Sequence, residues 1–310
     1  MRDNVSQRAR WLACAGAAAL AAAALRRWQL ASAFEPPLGL PIPGAQASVI
    51  LVCVLVIAAA GLAILALARG NGPAEQGCRW DLLFLNTGEL VYPALSVLAA
   101  FAALGAAPFL LKTGLAQWQV YQQARAALAQ GIEVQLPSNN GMLAIATAVG
   151  ALASFLGLLQ LGRDGLRPGK RGKGGFSAAL PGVAGCVWLM ESFRAHAANP
   201  VLWDYAPLLL SIVCGMLFYM DFAGLSAGAP RPRRLLWMAG MTLILSAAAL
   251  VSAASSQAWA DALLLLSQML AAGGVLWRLP SGLENPPVTK AKPRPRISGE
   301  GSIQEETTHE

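Results

Sequence analysis

Charge is scarce in this chain. Only 13% of its 310 residues are Asp, Glu, Lys or Arg, while 56% are hydrophobic. An ordinary soluble domain carries about 25% charged residues, so these side chains cannot cover a water-facing surface of this size. Histidine is limited to His196 and His309, and no HExxH occurs, which removes the helix-borne zinc hydrolase pattern. The five cysteines include no CxxC pair, so neither a zinc site nor a thiol redox motif is indicated. Cys14, Cys53, Cys186 and Cys214 lie inside apolar runs, and Cys78 lies in a loop. They read as small core hydrophobes. No metal and no cofactor is expected.

What the chain has is apolar length. A helix needs about 20 apolar residues to cross about 30 Å of hydrocarbon. Eight runs suit such spans, near 11–30, 49–68, 90–111, 142–161, 176–193, 205–227, 235–254 and 258–277. The sequence therefore predicts an all-α fold: a polytopic membrane bundle over 1–279 with about eight transmembrane helices. From 280 to 310 Pro, Gly, Ser and charge dominate, a composition that cannot bury enough apolar surface to order itself, so a disordered tail is expected. The first run, Trp11 to Leu25, continues only if Arg26 and Arg27 snorkel to the headgroups. Its rival reading is a signal peptide with Ala31-Ser32-Ala33 as the cleavage site; two arginines before that site count against cleavage.

Basic residues mark the sides. Of the 23 Lys and Arg, only Arg26, Arg27, Lys112, Arg125 and Arg194 fall in one set of alternate gaps, and the other eighteen fall in the opposite set. The positive-inside rule places that larger set, and both ends of the bundle, in the cytoplasm. Most of the net charge of +7 then reflects topology. Anionic lipid headgroups are the partner it implies, not nucleic acid. Trp11, Trp28, Trp80, Trp118, Trp203, Trp237, Trp259 and Trp277 lie near span ends or in loops, and Trp188 lies within a span. Indole prefers the headgroup level, so the tryptophans are expected to mark the same boundaries.

Two loops stand out. In 112–141, Leu115, Trp118, Tyr121, Leu128 and Ile132 recur at roughly helical steps, which predicts an amphipathic helix lying on the outer membrane surface. The segment 162–175 reads GRDGLRPGKRGKGG. A phosphate loop would need Gly where Asp164 stands and Ser or Thr where Arg171 stands, so the segment reads as a cationic loop against lipid. A GxSxG match, Gly224 to Gly228, ends a membrane helix instead of forming a strand-to-helix elbow. No catalytic residue is assigned, and an enzyme is not expected.

Ionisable groups inside spans are the natural place to look for function. Glu191 and Arg194 stand three apart at the outer end of the fifth span, where they can pair along one helix face. Asp221 lies near the inner end of the sixth. These three are the candidate substrate- or proton-binding residues. Glu89, at the start of the third span, reads as a helix N-terminal charge, and Asp261 is a lone charge near the start of the last. Pro-Gly, Tyr-Pro and Gly-Met features recur in spans two to four and five to seven, the pattern of an inverted repeat.

The stretch Glu191-Ser192-Phe193-Arg194-Ala195-His196-Ala197-Ala198-Asn199-Pro200, followed by Trp203-Asp204-Tyr205-Ala206, resembles a segment of uncharacterised multi-pass bacterial membrane proteins. The resemblance covers the fifth and sixth spans. It implies a bacterial cytoplasmic (inner) membrane and brings no activity or site residues. The leading expectation is a small-solute transporter. The alternative is a non-catalytic sensor or assembly component with a membrane-protein partner, since polar residues in the spans are few.

Overall fold

The computed structural model describes residues 2–35, 42, 44–67, 80–85, 89–137, 140–166, 174–197, 201–227 and 229–284. They form eight long helices: α1 (Arg2–Ser32), α2 (Gln46–Leu67), α3 (Val91–Ala129), α4 (Met142–Leu166), α5 (Gly174–His196), α6 (Leu202–Ser226), α7 (Pro232–Ser255) and α8 (Trp259–Glu284). A short 3-10 helix, Trp80–Phe84, precedes α3. The described residues contain no strand. Helices α2 to α8 supply seven segments long and apolar enough to cross a membrane. The eighth, α1, is less apolar because Arg10, Arg26 and Arg27 interrupt it, yet it packs on α7, α8 and α2 as part of the bundle. The protein is a polytopic helical membrane bundle.

Contacts at the helix ends show that successive helices alternate in direction. At one end the C-terminal turns of α1 and α7 meet through Arg26 and Ser252, and α1 meets the start of α2 through Gln29 and Ser48. There too Trp188 of α5 meets Asp261 at the start of α8. At the other end Asp221 of α6 pairs with Arg234 of α7, and Trp277 of α8 with Glu89 beside α3. That second end, here the basic end, is the one to which the sequence assigned the larger set of cations. The runs 68–79, 167–173 and 285–310, which hold many of those cations and nearly all of the expected tail, lie outside the described residues. Helix α8 itself continues through Pro280 to Glu284, past the expected boundary at 280.

Neighbour relations close a ring. α3 packs on α4, α4 on α5, α5 on α6, α6 on α7, α7 on α8, and α8 returns to α3. α1 and α2 lie outside it against α7, so α7 is the most enclosed helix. Of its apolar window 78% is buried, against 17% for α2. Spans three to eight make the ring, so it does not divide along the repeat of spans two to four and five to seven. Large apolar side chains point outward all around, among them Ile57 of α2, Phe101 of α3, Leu156 of α4 and Met190 of α5. A soluble protein rarely exposes such a surface; hydrocarbon accommodates it.

Small residues set the helix spacing, as expected where packing holds helices together in lipid. At Gly157 of α4 a Cβ would strike the carbonyl oxygen of Ser177 on α5 and crowd Leu180 and Pro181, whereas Gly16 of α1 faces open space. Gly157→Val is expected to force α4 from α5 and destabilise the protein by about 1–3 kcal/mol. Gly16→Ala should be neutral or slightly stabilising, because alanine favours the helix. Thermal unfolding of both variants in detergent checks this; an equal melting shift would refute the close approach.

Three expectations need correction. The segment from Lys112 to Ala129 is helical but is not a separate interfacial element. It continues α3 without a break, giving a 39-residue helix, about 58 Å long at 1.5 Å per residue. Hydropathy ends where lipid ends, but backbone hydrogen bonding does not. Past Lys112 only Gly114 and Ala124 of α3 are buried. Next, Trp80 and Trp11, expected to present their rings to the headgroups, are instead buried within the protein. Trp80 belongs to the 3-10 turn, which tucks beneath the ring with Phe84 against Tyr92 and Phe222 at 5.1 and 4.9 Å between ring centres. Finally, Cys14 and Cys53 are exposed on the outer face of the bundle, not in its core.

Candidate functional site

The ring encloses a pocket of about 30 Å³. Its polar lining comes from Thr147 and Ser154 of α4, Trp188 of α5, Tyr219 of α6, and Ser267 and Gln268 of α8; Ala103, Ala151, Ala184 and Gly185 supply its small walls. Gln268 is nine residues from the start of α8, about 14 Å along the helix, which is close to the middle of the hydrocarbon. Alanine and glycine on α3, α4 and α5 create the space, because larger side chains would fill it.

Two of the lining hydroxyls are satisfied within their own helix. Thr147 donates to the Leu143 carbonyl at 2.9 Å and Ser154 to that of Gly150 at 2.8 Å. Ser267 instead crosses to α3 and donates to the Ala99 carbonyl at 2.8 Å. Behind Gln268 a buried chain links three helices: Ser211 and Ser246 hydroxyls lie 2.7 Å apart, and Ser246 reaches Gln268 Oε1 at 3.5 Å. Gly215 leaves the room that the Gln268 amide occupies. On the basic side Phe222 meets Phe84 edge-on and stacks with Phe218, which in turn packs on Tyr219, so aromatic rings fill the bundle below the pocket.

Toward the far end the pocket meets a group of ionisable residues. Trp188 lines it and also donates through Nε1 to Asp261 Oδ1 at 2.9 Å, joining α5 to α8. One turn on from Trp188, Glu191 is half-buried on the same helix. His196 lies within electrostatic reach of Asp261. Its Nδ1 is 2.8 Å from the Ser192 carbonyl. A carbonyl can only accept, so Nδ1 carries a proton and donates. The imidazole stacks on Tyr205 of α6 with 5.1 Å between ring centres.

The three candidate residues named from sequence therefore have different surroundings. Glu191 belongs to the far-end group. Arg194, a turn beyond Glu191 and Met190, is exposed. Asp221 lies at the basic end with its Oδ2 3.0 Å from Arg234 Nε, across the α6–α7 hairpin. Glu89 likewise pairs with Arg278 at 3.5 Å and accepts from Trp277 at 3.2 Å, a tertiary role beyond that of a helix-start charge. Ser226 of the GxSxG match donates to the Ala223 carbonyl at 3.0 Å, within its own helix. Sequence reading missed Asp261 as a site residue. The signal available was a carboxylate inside an apolar span that also begins with a tryptophan.

Arg26 was expected to snorkel, and it does the opposite. It is fully buried, while Arg27, a turn of about 100° further round the helix, is exposed. Arg26 donates to Ser252 Oγ at 2.8 Å, Gln29 Oε1 at 2.6 Å and the Asp204 carbonyl at 2.7 Å. Gln29 in turn donates to Ser48 Oγ at 2.9 Å. Arg26 thus fastens α1 to α6 and α7, and through Gln29 to α2, just outside the ring.

The fold defines a multi-pass helical membrane protein, and within its ring lies a small, mostly apolar pocket that a few polar groups line. Compared with protein-family models, curated proteins and solved structures, the chain matches none.

Proposed function

We propose that the protein is a small-solute transporter of the bacterial cytoplasmic membrane, with its substrate site in the ring pocket and its basic end in the cytoplasm. The observation that carries this reading is the mid-depth pocket, mostly apolar but reached by polar groups of Thr147, Ser154, Ser267 and Gln268. Polar groups in a membrane interior are costly and tend to be functional, and transporters bind near the midplane. A cavity must offer about 10–15 Å³ for one water, so at about 30 Å³ this pocket suits one or two waters. The ring must open to admit anything larger. The resemblance of the Glu191–Ala206 stretch to bacterial membrane proteins supports the location, and the cationic loops suit anionic headgroups.

Electrical recording from reconstituted proteoliposomes tests the proposal. Rapid exchange into panels of amino acids, sugars, and organic and inorganic ions is expected to give a transient current with at least one class. Gln268→Leu removes a polar partner at the pocket, a loss of about 1–3 kcal/mol, and should lower the apparent affinity about tenfold, since 1.4 kcal/mol is a factor of ten. Absence of current with every class would sink the proposal. The second reading, a sensor or assembly component, is favoured by a different feature: the apolar side chains Leu115, Val120 and Leu128 exposed on the projecting part of α3. It expects a stoichiometric membrane-protein partner and no solute current.

A further inference from the structure

We propose that the ring pocket takes an uncharged solute rich in O–H or N–H donors, a polyol or a compact amide, and turns away ions. This rests on the transporter reading and names the substrate class of its site.

The hydroxyls on the pocket wall have committed their protons. Thr147 and Ser154 donate to carbonyls of their own helix at 2.9 and 2.8 Å, and Ser267 donates across to the Ala99 carbonyl on α3 at 2.8 Å. A hydroxyl has one proton and two lone pairs. With its proton held by a carbonyl, each of these oxygens can only accept from a ligand. All three residues line the pocket and are buried away from bulk water. Gln268 complements them. Its Oε1 accepts from Ser246 at 3.5 Å, which leaves the amide N–H2 as its group for a ligand. Helix α4 thus supplies two acceptors, and α8 supplies one acceptor and one donor group. A matching ligand carries several donors and an acceptor oxygen.

Charge is what the wall lacks. Among the described residues, those lining the pocket include no Asp, Glu, Lys, Arg or His. Asp261 is tied to the lining residue Trp188 through the indole N–H at 2.9 Å but does not itself line the pocket. Burying an ion without a counter-charge costs far more than burying a neutral group that is hydrogen-bonded. The Gln268 N–H2 also opposes a cation, and the three acceptor oxygens oppose an anion. The rest of the wall is apolar, with Ala103, Ala151 and Leu264 among its members, as in sites where a few polar groups fix the orientation of a ligand. At about 30 Å³ the pocket offers roughly the space of two waters. That limits a ligand in the closed ring to a few non-hydrogen atoms, and a larger polyol enters only as the ring opens.

The test uses full-length protein in lipid and needs no transport. Solid-state NMR with cross-polarisation detects isotope-labelled urea or isotope-labelled glycerol only when the solute is immobilised. A signal is expected from at least one of the two: urea alone assigns a compact amide, glycerol alone a polyol. Unlabelled acetone and guanidinium are the deciding competitors, because both share the planar shape of urea. Acetone lacks every donor, and guanidinium adds a positive charge. Neither should displace the labelled solute, even in large excess. Ser154→Ala and Ser267→Ala each remove one acceptor and should weaken binding about three- to tenfold, the worth of one neutral hydrogen bond. Displacement by guanidinium would overturn the exclusion of charge, and displacement by acetone the need for donors. Absence of both labelled signals would overturn the site itself, which would then hold water alone. Solute-evoked currents, measured in parallel, separate the two claims. Immobilised solute without any current keeps this site while the transporter reading falls; currents evoked by ions or amino acids alone keep transport and overturn the substrate class.

Discussion

Arg26→Ala is expected to destabilise the protein by about 3–5 kcal/mol, the range for breaking a buried charge network by removing one partner. Arg27→Ala, one residue on, should change stability by less than about 0.5 kcal/mol, as for other surface positions. The ion pair is the smaller part of the difference. Arg26 lies 3.8 Å from an Asp204 carboxylate that is 49% exposed, and water screens such a pair to about 0–1 kcal/mol. The larger part is three hydrogen bonds from a charged donor to Ser252, Gln29 and the Asp204 carbonyl, each worth about 1.5–3 kcal/mol and not additive. Alanine removes all three and leaves acceptors without their donor in a closed space. Unfolding titrations in mixed detergent micelles would measure both variants. Similar losses for Arg26→Ala and Arg27→Ala would show that the network contributes nothing beyond helix content.

Gly141→Val is expected to cost about as much, for backbone reasons. Gly141 has φ of +73°, a region that is a genuine outlier for a β-branched residue and costs about 1–3 kcal/mol. A Cβ there would also run into the Gly114 carbonyl oxygen and the Trp118 amide of α3, and overpacking adds about 1–3 kcal/mol. The Gly141 carbonyl begins α4 by accepting from Ile145 N at 3.1 Å, so the same shift disturbs the first turn of a ring helix. Gly131 is the internal comparison. Its φ is +78°, but nothing lies within 4 Å, so Gly131→Ala carries only the left-handed penalty of about 1–2 kcal/mol. Melting temperatures that fall equally for the two variants would refute the role given to the Gly114–Gly141 contact.

Hydropathy located the helices because the solvent for this fold is hydrocarbon, and hydrocarbon imposes a length. The 142–161 run became α4, Met142–Leu166, and the 235–254 run became α7, Pro232–Ser255. The ends extend because a helix continues into the polar layer wherever its hydrogen bonds are not interrupted. What hydropathy cannot supply is the direction in which each side chain faces. Arg26 and Arg27 are the same residue type in adjacent positions, yet one is enclosed and the other is not. Asp221 read as an isolated carboxylate because its partner Arg234 lies across a hairpin whose register is set only by packing. Asp261 read as a charge at a span start because Trp188, its partner, is 73 residues away. Glu191 was visible because it stands inside an apolar run.

The unbroken α3 gives the molecule a rigid arm. Its membrane portion is a wall of the ring, and past Lys112 its residues other than Gly114 and Ala124 are exposed or half-buried. A small tilt within the bilayer is therefore enlarged at the tip by simple leverage. Any rearrangement of the pocket walls is written in the position of residues near Gln123 and Ala126, where a label would detect it without touching the pocket.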